Sequence, residues 1–325
     1  MDFELSDDQV ALVDGIRSLL AGRFGIEAVR ACEATGGIDR AGWRELAETG
    51  VFSLVLPEAD GGVGLGFTDA VLVFEELGRR LVPGPLVGTF VAAGLVDGAA
   101  SGDAVVGVVE RPAPGVAAFV EHLGVLDALL VLDDEGVWRV DPTGVLAGAE
   151  ALHRPLDPLT PAWIVPELPK GDRVGDAALC SSLRTQGAAL IAALQLGVAE
   201  GACELATAYA KERQQFGKPI GAFQAVKHLC ADMISRVEVA RAAVYQAGVC
   251  LDDPSILPAA YAASVARVVA TPAADANGKD CVQVHGGMGY TWEVDAHLFV
   301  KRAWVLATQF GSADDHAESL ALTFA

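Results

Sequence analysis

The sequence predicts an α+β protein, because three zones of different texture follow one another along the chain. At about residues 6–100 apolar residues recur at helical spacing, with a glycine-rich break at residues 60–66. At about residues 103–175 short apolar runs alternate with Gly, Pro and Asp, which is typical of strands. Helical spacing then returns and predicts four helices, at about residues 177–213, 222–251, 256–286 and 293–309.

Individual elements are indicated within these zones. Residues 6–9 have the spacing of a capping box, which predicts a helix start, and residues 70–81 repeat the helical period after the glycine-rich break. In the middle zone the apolar runs are long enough for strands but too short for helices. The predicted strands include residues 105–109, 128–132 and 137–140.

Composition excludes several classes of partner. The formal net charge is −20, so the phosphates of nucleic acid and anionic lipid surfaces repel the chain. A hydrophobic fraction of 52% predicts a globular protein, not a disordered one. The longest nearly uncharged apolar run, residues 187–199, is shorter than the roughly 20 residues that span a bilayer. We therefore predict no nucleic-acid partner and no membrane segment.

The cysteines and the N-terminal residues indicate the cellular compartment of the protein. The six cysteines lack paired spacing, which predicts buried thiols instead of disulfides or a zinc site. Residues 1–4 carry early acidic residues and do not begin a basic and apolar leader pattern. We therefore expect a cytoplasmic protein.

Three groups of motifs occur in a fixed order along the chain. The first is WREL, GV and VLPE within residues 43–58, followed by GGVGL at 61–65 and EELGR at 75–79. The second is RQQFGKPI at residues 213–220 with Phe-Gln at 223–224, and the third is QVHGGMGYT at 283–291. In this order they resemble the acyl-CoA dehydrogenases. The first group is similar to the N-terminal domain of that family, and the other two are similar to its flavin-contacting loops.

The resemblance implies the acyl-CoA dehydrogenase fold, FAD as the cofactor and an acyl-CoA thioester as the substrate. It implies an N-terminal helical domain at residues 1–103, a small β domain at 104–176 and a C-terminal four-helix bundle at 177–325. In the family the two loops serve the FAD held mainly by a neighbouring subunit. The residues to which the resemblance gives a cofactor-binding role are Arg213, Phe216, Gln224, Gln283, His285, Gly286 and Gly287.

These residue types suit a dinucleotide. The planar guanidinium of Arg213 can make two hydrogen bonds to phosphate oxygens, and the amides of Gln224 and Gln283 can both donate and accept. Gly286 and Gly287 have no Cβ, so a phosphate or ribose can approach the main chain closely.

Without the resemblance each motif has an ordinary structural explanation. Arg213 could mark a helix end, the Gly-Gly-x-Gly loop could be a turn, and His285 could be a hydrogen-bonded core histidine. Residues 292–297, WEVDAH, could suggest a metal site. Their spacing does not place the acids and the histidine on one helix face, so a helix start is the better interpretation and we predict no metal.

The sequence departs from the family where the catalytic carboxylate belongs. By the resemblance, the usual glutamate lies in a Tyr-Glu-Gly-Thr-like segment, and Phe310 occupies its position here. The second family location, one helix earlier, holds Gly187. The turn that holds the flavin ring in the family is replaced by residues 109–115, VERPAPG. We therefore predict that this chain has no catalytic residue and that its binding site for the flavin ring is degenerate.

These departures lie on one side of the site, while the loops that serve a neighbour's flavin are kept. The resemblance therefore implies a subunit of a heteromeric acyl-CoA dehydrogenase, in which a second subunit of an α2β2 complex carries the glutamate. Residues 292–298 are similar to short actinobacterial subunits that act on steroid side-chain CoA thioesters.

Two alternatives stay open at this point. The chain could be a homo-oligomeric enzyme with an unusual base, for which Glu200, Glu204 and Glu293 are candidates. It could also be a non-catalytic structural or CoA-ester-binding module.

Overall fold

The computed structural model describes residues 5–323. Residues 1–4, on which the expectation of a cytoplasmic protein partly rests, lie outside the described residues. The chain divides into two compact units. A helical unit contains Met1–Leu20, Phe67–Val82 and Ala188–Ala325, and a mixed unit contains Ala21–Gly66 and Pro83–Gly187. The three consecutive domains inferred from the sequence stay a prediction.

The first zone is helical, as predicted. Its first helix begins with the expected capping box, in which the Gln9 amide N–H donates to Ser6 Oγ at 3.2 Å and the Ser6 N–H donates to Gln9 Oε1 at 3.1 Å. The glycine-rich break separates the third and fourth helices, which confirms that part of the prediction. The helices are α1 (Asp7–Arg23), α2 (Ile26–Ala31), α3 (Arg40–Glu48), α4 (Phe67–Arg79) and α5 (Leu86–Ala92).

The middle zone forms two small sheets in the mixed unit, which confirms the predicted β content. One sheet has the order β1-β3-β4-β7, with β1 parallel to β3 and the other pairs antiparallel, and the other has the order β2-β6-β5. The apolar residues of β3 are all buried because this strand lies inside its sheet. A short helix, α6 (Pro142–Leu146), follows β4. The strands are β1 (Val106–Glu110), β2 (Ala118–Glu121), β3 (Ala128–Asp133), β4 (Gly136–Val140), β5 (Glu150–Ala151), β6 (Ala162–Val165) and β7 (Asp172–Asp176).

The last zone contains the four predicted helices and a fifth that was not predicted. The fifth, α11, is short and polar, so its apolar period is weak. Its capping box of Ser312 and Asp315 was a sequence signal that could have located it. The helices are α7 (Ala177–Glu212), α8 (Gln224–Asp252), α9 (Ala259–His285), α10 (Ala296–Leu306) and α11 (Ala313–Leu322).

Helix α7 is long and apolar enough to cross a membrane, but it has the burial of a core helix. In its most apolar 18-residue window, 83% of the residues are buried inside the protein. Where it packs on α4, a methyl group at Gly197 would overlap the main-chain oxygen of Glu75, and one at Gly78 would overlap that of Leu194. Glycine at these two positions therefore allows the two helix backbones to touch.

The cysteines are placed as predicted. All six are free thiols, and five of them are buried, while Cys230 is half-buried. Burial raises the pKa of the Cys281 thiol to about 12, so this group is a neutral apolar side chain.

Candidate functional site

The Arg213 motif forms an exposed turn in the helical unit. Helix α7 ends at Glu212, and the Arg213 N–H still donates to the carbonyl of Tyr209 at 2.9 Å. Strands β8 (Gln214–Gln215) and β9 (Lys218–Pro219) then make a hairpin. The Arg213 guanidinium is exposed and makes no hydrogen bond or ion pair with residues 5–323. Its donors are therefore available to a ligand.

The tip of this hairpin presents an aromatic ring to solvent. Phe216 is 91% exposed, and its φ of +53° is uncommon for a residue with a side chain. Its ring meets the ring of Phe223 edge-on at 6.0 Å, and Lys218 Nζ lies 4.4 Å from the centre of the same Phe223 ring. A side chain this exposed is available for contact with another molecule.

The third motif forms an open loop at the end of α9. Gly286 has a φ of +60°, and a Cβ built on Gly286 or Gly287 would meet no atom within 4 Å. Gln283 is exposed at the end of α9, and Gln224 is exposed at the start of α8. Neither amide has a hydrogen bond within the part of the chain that the structure describes.

His285 differs from the other predicted site residues because it is buried, with 5% of its surface exposed. Its Nδ1 lies 2.8 Å from the carbonyl oxygen of Cys281, so Nδ1 carries a proton and donates. The imidazole stacks on the phenol ring of Tyr209, with 4.1 Å between the ring centres and 24° between the planes. This stack joins the end of α9 to the last turn of α7, so the structure brings the second and third motifs together.

Phe310, at the expected position of the base, lies in a turn that accepts hydrogen bonds from His316 and Arg267. Its φ is +50°, and its carbonyl oxygen accepts from His316 Nε2 at 2.9 Å. The other imidazole nitrogen lies 3.0 Å from Ser264 Oγ, and burial lowers the pKa of His316. The next residue, Gly311, accepts from Arg267 at 2.7 Å. Residues that lie far apart in sequence therefore fix this turn.

Arg267 is fully buried, and burial lowers its pKa to about 10. It donates to Gln195 Oε1 at 2.6 Å and to main-chain oxygens that follow α10. Carbonyl groups at the end of a helix carry partial negative charge, so they stabilise the guanidinium. The accepting carbonyls belong to Leu306, Ala307, Gln309 and Gly311.

In the mixed unit, residues 109–115 replace the family's turn for the flavin ring, and their charged side chains form ion pairs. Arg184 holds both carboxylate oxygens of Glu110, at 2.9 and 2.8 Å. Arg111 binds Asp133 at 3.0 Å and donates to the carbonyl oxygen of Leu168 at 3.1 Å. Glu110 and Arg111 are therefore not free to bind a ligand unless these ion pairs break.

Two of the alternative bases belong to ion pairs within the helical unit. Glu204 binds the guanidinium of Arg79, and Glu200 lies 3.1 Å from Arg241. Both carboxylates therefore already have an arginine partner within the helical unit. Glu293 is exposed.

Glu75 is buried and, with Glu200 and Arg241, lines a cavity of about 290 Å³. Arg241 donates to Glu75 Oε1 at 3.0 Å, and the Tyr245 hydroxyl donates to Oε2 at 2.8 Å. Burial raises the pKa of Glu75 to about 7, and the nearby carboxylate of Glu200 acts in the same direction. The attraction to Arg241 and the Tyr245 hydrogen bond only partly oppose this effect.

A Glu75→Gln variant should lose a pH dependence of stability. Because its folded pKa is raised, Glu75 contributes stability that is fully present below about pH 4.5 and is lost as pH rises through about 7. We expect the melting temperature of the wild type to fall across this window and that of Glu75→Gln to fall less. Glu238→Gln is the matched control, because Glu238 binds the same arginine but is exposed. Equal slopes in all three proteins would contradict the assignment.

Taken together, the fold is of the α+β class, with long helices, two small sheets and an open, unpaired loop surface at the ends of α7 and α9. Models of the acyl-CoA dehydrogenase N-terminal and C-terminal domains match residues 6–100 and 181–322. Acyl-CoA dehydrogenase IpdE2 of Mycobacterium tuberculosis is 35% identical over 310 residues, which cover 91% of each chain. The chain belongs to the acyl-CoA dehydrogenase family.

A further relative and two solved structures are also similar to this chain. Acyl-CoA dehydrogenase FadE34 of Mycobacterium tuberculosis is 36% identical over 92% of this chain, which spans 45% of the length of FadE34. A variant of the Tcur3481–Tcur3483 steroid ACAD superposes with a TM-score of 0.82, at 26% identity and 97% coverage of each chain. The ChsE4–ChsE5 complex from Mycobacterium tuberculosis superposes with a TM-score of 0.83 at 24% identity, covering 100% of this chain and 99% of that one. The predicted acyl-CoA dehydrogenase fold is therefore confirmed.

Proposed function

We propose that this chain is a subunit of a heteromeric, FAD-dependent acyl-CoA dehydrogenase and completes the FAD site of its partner. One contrast carries the proposal. Arg213, Gln224 and Gln283 are exposed and unpaired within the described residues, whereas Phe310 and Gly187 occupy both positions of the catalytic base. The chain keeps groups that bind a neighbour's cofactor and lacks the group that removes a proton.

The exposed surface of the helical unit fits the adenosine diphosphate end of FAD. Arg213 would bind the pyrophosphate through charge-assisted hydrogen bonds, and the open main chain of Gly286 and Gly287 would allow a phosphate or ribose to approach. Gln224 and Gln283 would pair with polar edges of the ribose or adenine. FAD, when bound, accepts the hydride from the β-carbon of the thioester. Phe216 would shield the cofactor from water.

A second acyl-CoA dehydrogenase-like subunit would carry the glutamate and most of the FAD site, in an α2β2 complex. Two structural neighbours, the ChsE4–ChsE5 complex and the Tcur3481–Tcur3483 steroid ACAD, are each named for two components. The name of the steroid ACAD also supports a steroid CoA ester as the substrate class. We further propose a cytoplasmic location, and the burial of α7 argues against this helix as a membrane span.

Flavin content tests this architecture. We expect the chain expressed alone to bind little FAD, because residues 109–115 replace the family's turn for the flavin ring. Co-expression with an acyl-CoA dehydrogenase-like partner should give a yellow complex with one FAD for every two chains. A yellow, active homo-oligomer of this chain would instead favour the alternative of a self-sufficient enzyme. A colourless protein with every candidate partner would favour a structural or CoA-ester-binding module.

Placing a carboxylate at Phe310 should not create a second active site. We expect the complex with Phe310→Glu to turn over acyl-CoA no faster than the original complex. The reason is that dehydrogenation needs a hydride acceptor as well as a base, and residues 109–115 replace the turn that holds the flavin ring in the family. Steady-state turnover per complex is the measurement, with Phe310→Gln as the neutral control. Faster turnover with Glu alone would show that this subunit holds a complete site.

A further inference from the structure

The two loops of the proposed FAD surface come from distant parts of the sequence, yet one aromatic contact connects them. Tyr209 lies one helical turn before Arg213 and accepts the Arg213 N–H at its carbonyl oxygen. Its ring stacks on His285, the residue directly before Gly286. We propose that Tyr209 is a positioning residue that sets the distance between Arg213 and the Gly286–Gly287 main chain. This inference rests on the proposed function.

The contacts on the α9 side make the stack a rigid link. His285 Nδ1 donates to the carbonyl of Cys281, which fixes the plane of the imidazole. The loop after His285 packs closely on α9, because a Cβ on Gly289 would lie 2.6 Å from the Val282 carbonyl oxygen and 3.2 Å from His285 Cβ. The position of the loop that carries Gly286 therefore depends on the position of His285.

The ring of Tyr209, not its hydroxyl, carries this role. The hydroxyl has no hydrogen bond within residues 5–323, whereas the ring lies almost parallel to the imidazole at stacking distance. A ligand that touches both Arg213 and Gly286 needs both at a fixed separation, because groups that are slightly misplaced lose most of their contribution. Phenylalanine keeps the stack and leucine does not, so these two substitutions separate ring from hydroxyl.

The test measures FAD affinity of the co-expressed complex by flavin fluorescence. We expect Tyr209→Phe to bind FAD as tightly as the wild type, and Tyr209→Leu to bind it about two- to tenfold more weakly. Tyr261→Leu is the matched control, because Tyr261 lies at the opposite end of α9 and should have no effect. If Tyr209→Phe binds as weakly as the leucine variant, or if Tyr209→Leu binds as tightly as the wild type, the proposal is wrong.

A double-mutant cycle distinguishes positioning from general stabilisation. If Tyr209 acts through Arg213, the leucine substitution should cost less affinity in an Arg213→Ala background than in the wild type. Equal costs in both backgrounds would overturn the positioning role. If Arg213→Ala alone leaves the FAD affinity unchanged, the proposed function itself fails. The failure of each idea is therefore visible in a different variant.

Discussion

Arg213→Ala should weaken FAD binding by the heteromeric complex about ten- to a hundredfold, while the subunits stay associated. A hydrogen bond to a charged group contributes about 1.5–3 kcal/mol, and Arg213 would make such bonds to the pyrophosphate. Since its guanidinium has no partner within the described residues, the substitution breaks no hydrogen bond or ion pair among residues 5–323. The effect should therefore appear in the FAD dissociation constant and not in the melting temperature of the subunit.

Arg80→Ala is the matched control for this prediction. Arg80 is exposed in the helical unit and also lacks a side-chain hydrogen bond or ion pair within residues 5–323. It should leave FAD affinity unchanged, which separates a specific contact from the general effect of removing positive charge from an acidic protein. Equal FAD retention in the Arg213→Ala and wild-type complexes would show that residues 213–220 only end a helix.

Gly197→Ala should destabilise the protein by about 3 kcal/mol or more, because overpacking against main chain cannot be relieved by a side-chain rotation. The added methyl group would overlap the carbonyl oxygen of Glu75, so α4 and α7 would have to move apart. That movement would also disturb the contact of Gly78 with Leu194 on the same pair of helices. Chemical denaturation of the purified chain measures the loss.

A second glycine in the same unit provides the control. Gly15 lies in α1, and a Cβ there would meet no atom within 4 Å. Gly15→Ala should therefore stabilise the protein by about 0.5–1 kcal/mol, because alanine has the higher helix propensity. Unchanged stability of Gly197→Ala would contradict the helix contact between α4 and α7, and a loss of stability of Gly15→Ala would contradict the open space at that position.

Local patterns in the sequence were sufficient to determine the zones, the longer elements and the candidate motifs. The helical period, the capping box at residues 6–9 and the short apolar runs depend on neighbouring residues, so they predicted α1, α4, β1, β3, β4 and the helices α7 to α10. The motif residues could be named for the same reason, since each motif lies within one short segment. Several short elements were not predicted, among them α11, whose polar composition hid it although its capping residues were present.

Which partners those residues have was decided only by the tertiary structure. Tyr209 stacks on His285 from another helix. Arg267 donates to a carbonyl that follows α10, and Arg184 forms an ion pair with Glu110. Each contact joins residues that are distant in sequence, and no local pattern encodes such a pairing. The free energy that brings them together comes from the burial of helices and strands as whole elements. For this reason the sequence alone identified Arg213 as a candidate ligand, but only the folded chain shows that its guanidinium has no partner within residues 5–323.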